Sequence, residues 1–152
     1  MPAEERLKQL GLQLPTPPAP AASYVTFAQA GSLVFTSGHI PVRADGSRIT
    51  GKVGAGLTTE QGADAARVVG LSLLATLRAN LGSLDRVKRV VKLVGMVNAA
   101  PDFTEHSRVI NGCSDLLVEV FGEAGRHVRT AVGMSSLPFD VAVEIEAVVE
   151  VG

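Results

Sequence analysis

The segment from Phe139 to Val151 places Val143, Ile145 and Val149 on one side of an extended chain and Glu144, Glu146 and Glu150 on the other. A strand of this kind has one buried face and one face turned to water or to a cation, so the chain must build a sheet and cover one side of it. Just upstream, His127-Val128-Arg129-Thr130-Ala131-Val132 sets a permanently charged guanidinium among small and β-branched residues that exclude water. Arg129 therefore needs an anionic partner. Two remain open: an internal carboxylate, with Glu144 and Glu146 as candidates, or the carboxylate of a bound small molecule that the planar fork grips at two points. Structural ion pairs are the commoner arrangement.

The rest of the chain supplies the elements around this strand. Residues 3 to 10 suit a short helix with Leu7 and Leu10 inward and Gly11 as its stop, and Pro15, Pro17, Pro18 and Pro20 then force an extended connector. Tyr24 to Ala28 and Leu33 to Ser37 read as two strands joined at Ala30-Gly31. A polar, glycine-rich stretch from Val42 to Gly56 reads as a mobile loop, because it lacks a Gly-Lys-Ser/Thr or dinucleotide fingerprint. Thr58 and Gln61 form a capping box ahead of Ala66, Val69, Leu73 and Leu77, which predicts a helix over 59–80. Val87 to Asn98 is a β-branched strand. Pro101-Asp102 opens a second helix carrying the stripe Val109, Cys113, Leu116, Leu117 and Val120, ending near Gly122. The last two strands, His127 to Ser135 and Phe139 to Val151, are expected to pair across Ser136-Leu137-Pro138. The order β-β-α-β-α-β-β predicts an α+β domain, a mixed sheet with two helices on one face.

Composition narrows the function. A length of 152 residues suits one domain, residues 1–152 with 1–22 as a helical and proline-rich lead. A net charge of −1 and the absence of a long basic run argue against nucleic acid as a partner. The start lacks the pattern of a signal peptide and no apolar run approaches a membrane span, so a cytoplasmic protein is expected. The single Cys113 falls on an apolar helical stripe and reads as a buried, inert thiol, and His106 and His127 show no metal-ligand spacing, so no metal is expected. Valine, alanine and glycine supply much of an apolar fraction of 46% that contains no Trp. Such smooth sheet faces pack on helices or on another subunit.

Several separated motifs then agree in order and spacing. Arg129-Thr130-Ala131-Val132, Leu137-Pro138 and Val143-Glu144-Ile145-Glu146-Ala147 resemble the C-terminal signature of the Rid family, the reactive-intermediate deaminases also known as YjgF or L-PSP endoribonuclease proteins. Tyr24, Gly31, Phe35-Thr36-Ser37-Gly38-His39-Ile40-Pro41, Val91-Lys92 and Asp102-Phe103 resemble further motifs of that family, so the likeness runs from about Tyr24 to Ala147. It implies a chorismate-mutase-like fold, a homotrimer with sites in clefts between subunits, and no cofactor. The implied activity is hydrolytic deamination of reactive 2-imino and enamine acids to 2-oxo acids and ammonia. Arg129 would grip the substrate carboxylate, Glu144 would hold the hydrolytic water, Tyr24 would line the pocket, Ser37 and Gly38 would form its floor, and Ala131 would act through its backbone. The family's site asparagine matches Asn111, with Ser107 as the other register. Three positions depart from the pattern: Ala22-Ser23 replaces a Gly-Pro, His39 replaces a Gln and Ala131 replaces a Cys. The alternative function is a non-catalytic trimer that binds a metabolite carboxylate for regulation, and a ribonuclease ranks third for want of a histidine pair and a basic groove.

Overall fold

A computed structural model describes residues 1–20 and 22–152, so residue 21 of the lead lies outside the described residues. Helix α1 (Ala3–Leu10) ends at Gly11 and buries Leu7. Strands β1 (Phe27–Ala30) and β2 (Leu33–Thr36) form an antiparallel hairpin in which Ala30 faces Leu33. Helix α2 (Thr59–Leu81) begins at the expected capping box: Thr58 Oγ1 accepts from Gln61 N–H at 3.1 Å, and Gln61 Oε1 accepts from Thr58 N–H at 2.9 Å. Strand β3 (Val87–Asn98), helix α3 (His106–Phe121), strand β4 (Val128–Met134) and strand β5 (Val143–Val151) complete the fold. The first strand begins at Phe27 rather than Tyr24, and α3 begins at His106 because Pro101 and Asp102 form a turn ahead of it.

The five strands run in the order β1-β2-β5-β3-β4. The expected β4–β5 hairpin does not form. A 16-residue helix separates β3 from β4, and a helical crossover of that kind returns the chain parallel to the strand it left, so β4 pairs in parallel with β3. The chain then turns at Phe139 and Asp140, both at positive φ (59° and 57°), and β5 inserts antiparallel between β2 and β3. The predicted α+β class and the two-helix cover are as observed, with β3 rather than β4 beside the C-terminal strand.

Val143, Ile145, Ala147, Val149 and Val151 all point into the core formed with α2 and α3, where Leu73, Leu77, Val109, Cys113 and Leu116 meet them. Each fully buried leucine contributes about 2 kcal/mol in apolar transfer. On β3 the buried positions are spaced by three before they are spaced by two, Val87, Val90, Leu93, Gly95 and Val97, because two register shifts interrupt its ladder with β5. The other sheet face stays open. Leu33, Phe35, Val128 and Val132 are all more than a third exposed on it or at its edges.

The Val42 to Gly56 stretch is better anchored than a mobile loop. Bridges tie Val42 to Arg48, Thr50 to Val141 and Val53 to Ala99, and the fully buried Asn98 fastens the rest. Its side-chain amide donates to the Asp140 carboxylate at 3.0 Å and the Gly51 carbonyl at 3.3 Å, while its oxygen accepts from Lys52 Nζ at 2.9 Å.

Helices α2 and α3 approach closely where Gly112 lies on the Ala63 carbonyl, and a Cβ built there would overlap that oxygen. Gly112→Ala should therefore destabilise the protein by about 2 kcal/mol, the overpacking outweighing a helix-propensity gain of about 1 kcal/mol. Urea unfolding checks this, and a midpoint at or above that of the wild type would show that the helices are not in such contact.

Candidate functional site

The first cluster forms where β2 leaves the sheet. Phe35 pairs with Val148 but His39 pairs with Ile145, so four steps along one strand match three along the other and Ser37-Gly38 bulges opposite Glu146. Gly38 comes directly against the Glu144 side chain; a Cβ there would overlap Glu144 Oε2, so a larger residue would displace the carboxylate from this position. Glu144 is half-buried, and burial first, then the neighbouring Glu146, raises its pKa above the ordinary carboxylate range. Tyr24, Ser37, Gly38 and Glu144 all line one cavity of about 760 Å³, walled on one side by Leu14, Pro15 and Pro18 of the lead.

His39, also on that cavity, is a clamp. Its Nδ1 lies 2.8 Å from the Ser37 carbonyl, which can only accept, so Nδ1 carries the proton and Nε2 accepts from the Thr76 hydroxyl at 2.7 Å. Burial lowers its pKa, the Ser37 bond opposing in part. A neutral imidazole thus pins the bulge to α2, the ordinary hydrogen-bonding role rather than a titrating one.

The second cluster lies between β4 and α3. Arg129 Nη1 donates to Asn111 Oδ1 at 2.7 Å and to Ser114 Oγ at 3.1 Å, and Nη2 reaches the Ser107 carbonyl at 3.5 Å. Asn111 is therefore the side chain that meets Arg129, and Ser107 offers only backbone. Behind Ser114, His127 Nδ1 donates to the Gly125 carbonyl at 2.7 Å, which leaves Nε2 to accept from the Ser114 hydroxyl at 2.9 Å. The His127 pKa is lowered, chiefly by burial. Asn111, Ser114, His127 and Arg129 line a cavity of about 580 Å³ together with Asp115, Glu119 and Arg126. Ala131 stands two residues beyond Arg129 on the same face, opposite Gly95.

An internal ion pair between Arg129 and Glu144 or Glu146 is ruled out by the register. Arg129 pairs with Leu93, which pairs with Ala147, and that row points towards the helices. Glu144 pairs with Met96 and Glu146 with Val94, on the alternate, open face. The ion pairs among the described residues do not include Arg129. Its hydrogen-bond partners among the described residues are all neutral.

Cys113 is fully buried and its thiol pushed up to about 12, chiefly by burial, so it stays protonated and unreactive. Among the described residues no group of three or more His, Cys, Asp or Glu is placed to hold a metal ion. Two residues that sequence reasoning missed stand on the first cavity: Phe139, in a left-handed conformation that costs about 1–3 kcal/mol, and Arg48, whose guanidinium carbon lies 3.9 Å over the Phe139 ring. Pro138 signals a turn, but nothing in the sequence near Arg48 marks it out.

A family described as YjgF/chorismate mutase-like, putative endoribonuclease matches residues 4–150. Protein TCP17 of Trypanosoma cruzi is 50% identical over 145 residues, covering 95% of this chain and 91% of its own. Among solved structures, protein Atu1372 of unknown function from Agrobacterium tumefaciens is 43% identical with a TM-score of 0.91, covering 99% of this chain and 92% of its own. TdcF of E. coli with bound serine is 26% identical with a TM-score of 0.66, covering 90% of this chain and 94% of its own. No helix among the described residues is long and apolar enough to cross a membrane.

The raised pKa of Glu144 has a consequence for stability. A carboxyl that holds its proton more tightly folded than unfolded makes stability fall as pH climbs from the ordinary carboxylate range through the raised value. Glu144→Gln should then unfold at a higher urea concentration than the wild type near pH 7, with the difference closing below about pH 4, where the Glu144 carboxyl is neutral folded and unfolded alike. A less stable variant near pH 7 would mean that the carboxylate is held by a partner.

Proposed function

The chain belongs to the YjgF/chorismate mutase-like family, and from that premise we propose that it hydrolyses reactive 2-imino acids, and the enamines that tautomerise to them, to 2-oxo acids and ammonia. The observation that carries this reading is Arg129, a guanidinium fixed by Asn111, Ser114 and a backbone carbonyl and, among the described residues, in ion-pair contact with no carboxylate. A substrate carboxylate completes it. Serine bound to TdcF carries the α-carboxylate and α-nitrogen that such substrates share.

In this reading Arg129 anchors the carboxylate and the backbone near Ala131 assists. Glu144, raised in pKa and pressed against Gly38, orients a water and takes its proton as the oxygen adds to the C=N carbon. The nitrogen is protonated, the carbinolamine collapses, and ammonia leaves as the new C=O forms. Tyr24 and the Ser37-Gly38 bulge shape the wall that holds the imine beside the carboxylate. Such imines hydrolyse unaided, so positioning and one acid-base group suffice, and the reading requires no metal or cofactor.

The two halves of this machinery face opposite sides of one sheet, and a second copy of the chain brings them together. The protein is accordingly read as a cytoplasmic homotrimer with sites between subunits, the open sheet face with Phe35, Val128 and Val132 supplying apolar surface for association. The ribonuclease named in the family description has less to stand on. His39 and His127 line different cavities, each with both ring nitrogens engaged, so they offer no pair for RNA cleavage.

Light scattering should give three times the 15.8 kDa chain mass at micromolar concentration; a monomer would remove the shared site. With 2-iminobutyrate generated in place, Arg129→Ala should lower kcat/KM by about a hundredfold or more while the trimer persists, and Arg129→Lys should recover only part, since an ammonium cannot grip at two points. Glu144→Gln should lower kcat by about a hundredfold with little change in KM. A folded Arg129→Ala trimer at the wild-type rate would contradict the assignment, and binding of 2-oxo acids without ammonia release would favour a regulatory carboxylate-binding protein.

A further inference from the structure

The cavity that holds Glu144 is larger than a three- or four-carbon imino acid needs, and it carries a cation of its own. Its volume of about 760 Å³ lies in the range of pockets that enclose drug-sized ligands. Arg48 and Phe139 line it together with Glu144. Among the described residues, the Arg48 guanidinium takes part in no ion pair, and it stacks on the Phe139 ring, 3.9 Å below.

The support beneath this pair is fixed. The loop closes on itself through the Val42–Arg48 bridge, with Arg43 Nη1 donating to the Arg48 carbonyl at 3.1 Å and to Ser47 Oγ at 3.3 Å. Asp45, the nearby carboxylate, accepts from the Ser47 N–H at 2.9 Å and the Ser47 hydroxyl at 2.6 Å. On the other side Gly51 N–H donates to the Asp140 carbonyl at 2.9 Å and Ala142 N–H to the Ile49 carbonyl at 3.0 Å, which holds Arg48 beside the strained turn at Phe139. A guanidinium stacked on a ring has its face covered and its N–H edges free, the arrangement that grips a carboxylate at two points.

We propose that the preferred substrates are 2-imino acids whose side chain ends in a second carboxylate, with Arg48, set on Phe139, as the residue that selects them. The inference rests on the deaminase reading and adds its substrate class: Arg129 of one copy takes the α-carboxylate, Glu144 addresses the imine carbon, and Arg48 takes the distal carboxylate, held away from the negative Glu144. Arg43, occupied by Ser47 and the Arg48 carbonyl, positions the loop.

The test compares 2-iminoglutarate with 2-iminobutyrate, each released in the cuvette by an amino-acid oxidase, and follows ammonia with the wild-type trimer, Arg48→Ala and Arg48→Lys. The wild type should favour the dicarboxylic imine in kcat/KM by about tenfold or more; Arg48→Ala should lower that ratio about tenfold, and Arg48→Lys should restore it in part. Calorimetric binding of 2-oxoglutarate against 2-oxobutyrate reads the same preference without turnover. A wild type that favours the monocarboxylic imine, or a ratio and a binding preference unmoved by Arg48→Ala, would overturn the proposal while leaving deamination in place. Absence of turnover on both imines, with Arg48-dependent binding of 2-oxoglutarate, would instead overturn the deaminase reading and leave the dicarboxylate preference standing.

Discussion

A strand shows alternate side chains to opposite faces, and in this sheet that rule separates Arg129 from Glu144, the two charged groups on which the proposed chemistry rests. Arg129 shares a row with Leu93 and Ala147 and turns towards α3; Glu144 shares a row with Met96 and turns to the open side. With β3 between β4 and β5, their backbones are also about 10 Å apart across the sheet. One chain therefore cannot close its own Arg129 on its own Glu144. Among the described residues the guanidinium has neutral hydrogen-bond partners and the carboxylate, half-buried against Gly38, takes part in no ion pair.

The supports of the two half-sites are independent. On one side, α3 packs its Val109–Cys113–Leu116 stripe into the core and turns a different face, with Asn111 and Ser114, to Arg129 of β4, so the packing of the stripe fixes where those two side chains stand. On the other, the bulge at Ser37-Gly38 is pinned to α2 through His39 and Thr76, and the loop carrying Arg48 is stitched to the Phe139 turn through backbone bonds and the buried Asn98. Both histidines in these supports have lowered pKa values from burial and act neutral, Nδ1 donating and Nε2 accepting. Polar groups this well satisfied rigidify what they join.

Local pattern made much of this readable before any coordinates. The capping box at Thr58 and Gln61 marked the start of α2, β-branched residues marked β3 from Val87 to Asn98, and alternation placed Glu144 and Glu146 together on the face opposite Val143 and Ile145. Pairing was less readable, because periodicity tells which face a side chain takes but not which edge a strand joins. The short link at Ser136-Leu137-Pro138 suggested a hairpin, whereas the α3 crossover and the positive φ angles at Phe139 and Asp140 lead β5 past β4 to the far side of β3. The same gap hid the separation of Arg129 from Glu144, which depends on register across three strands. Arg48 was out of reach for a further reason: its neighbour Phe139 lies ninety-one positions on, and the loop that joins them is held by backbone bonds that carry no residue signature.

The central claim is that one working site takes Arg129 from one copy and Glu144 from another, and mixing two crippled chains tests it most directly. Arg129→Ala and Glu144→Gln chains, each inactive alone, are unfolded together in equal amounts, refolded and assayed for ammonia release from 2-iminobutyrate. Random reassortment places an intact Arg129 opposite an intact Glu144 at about a quarter of the interfaces, so about a quarter of wild-type activity should return. A mixed preparation as inactive as its parents, with reassortment confirmed by native mass measurement, would mean that both residues of a working site belong to one chain.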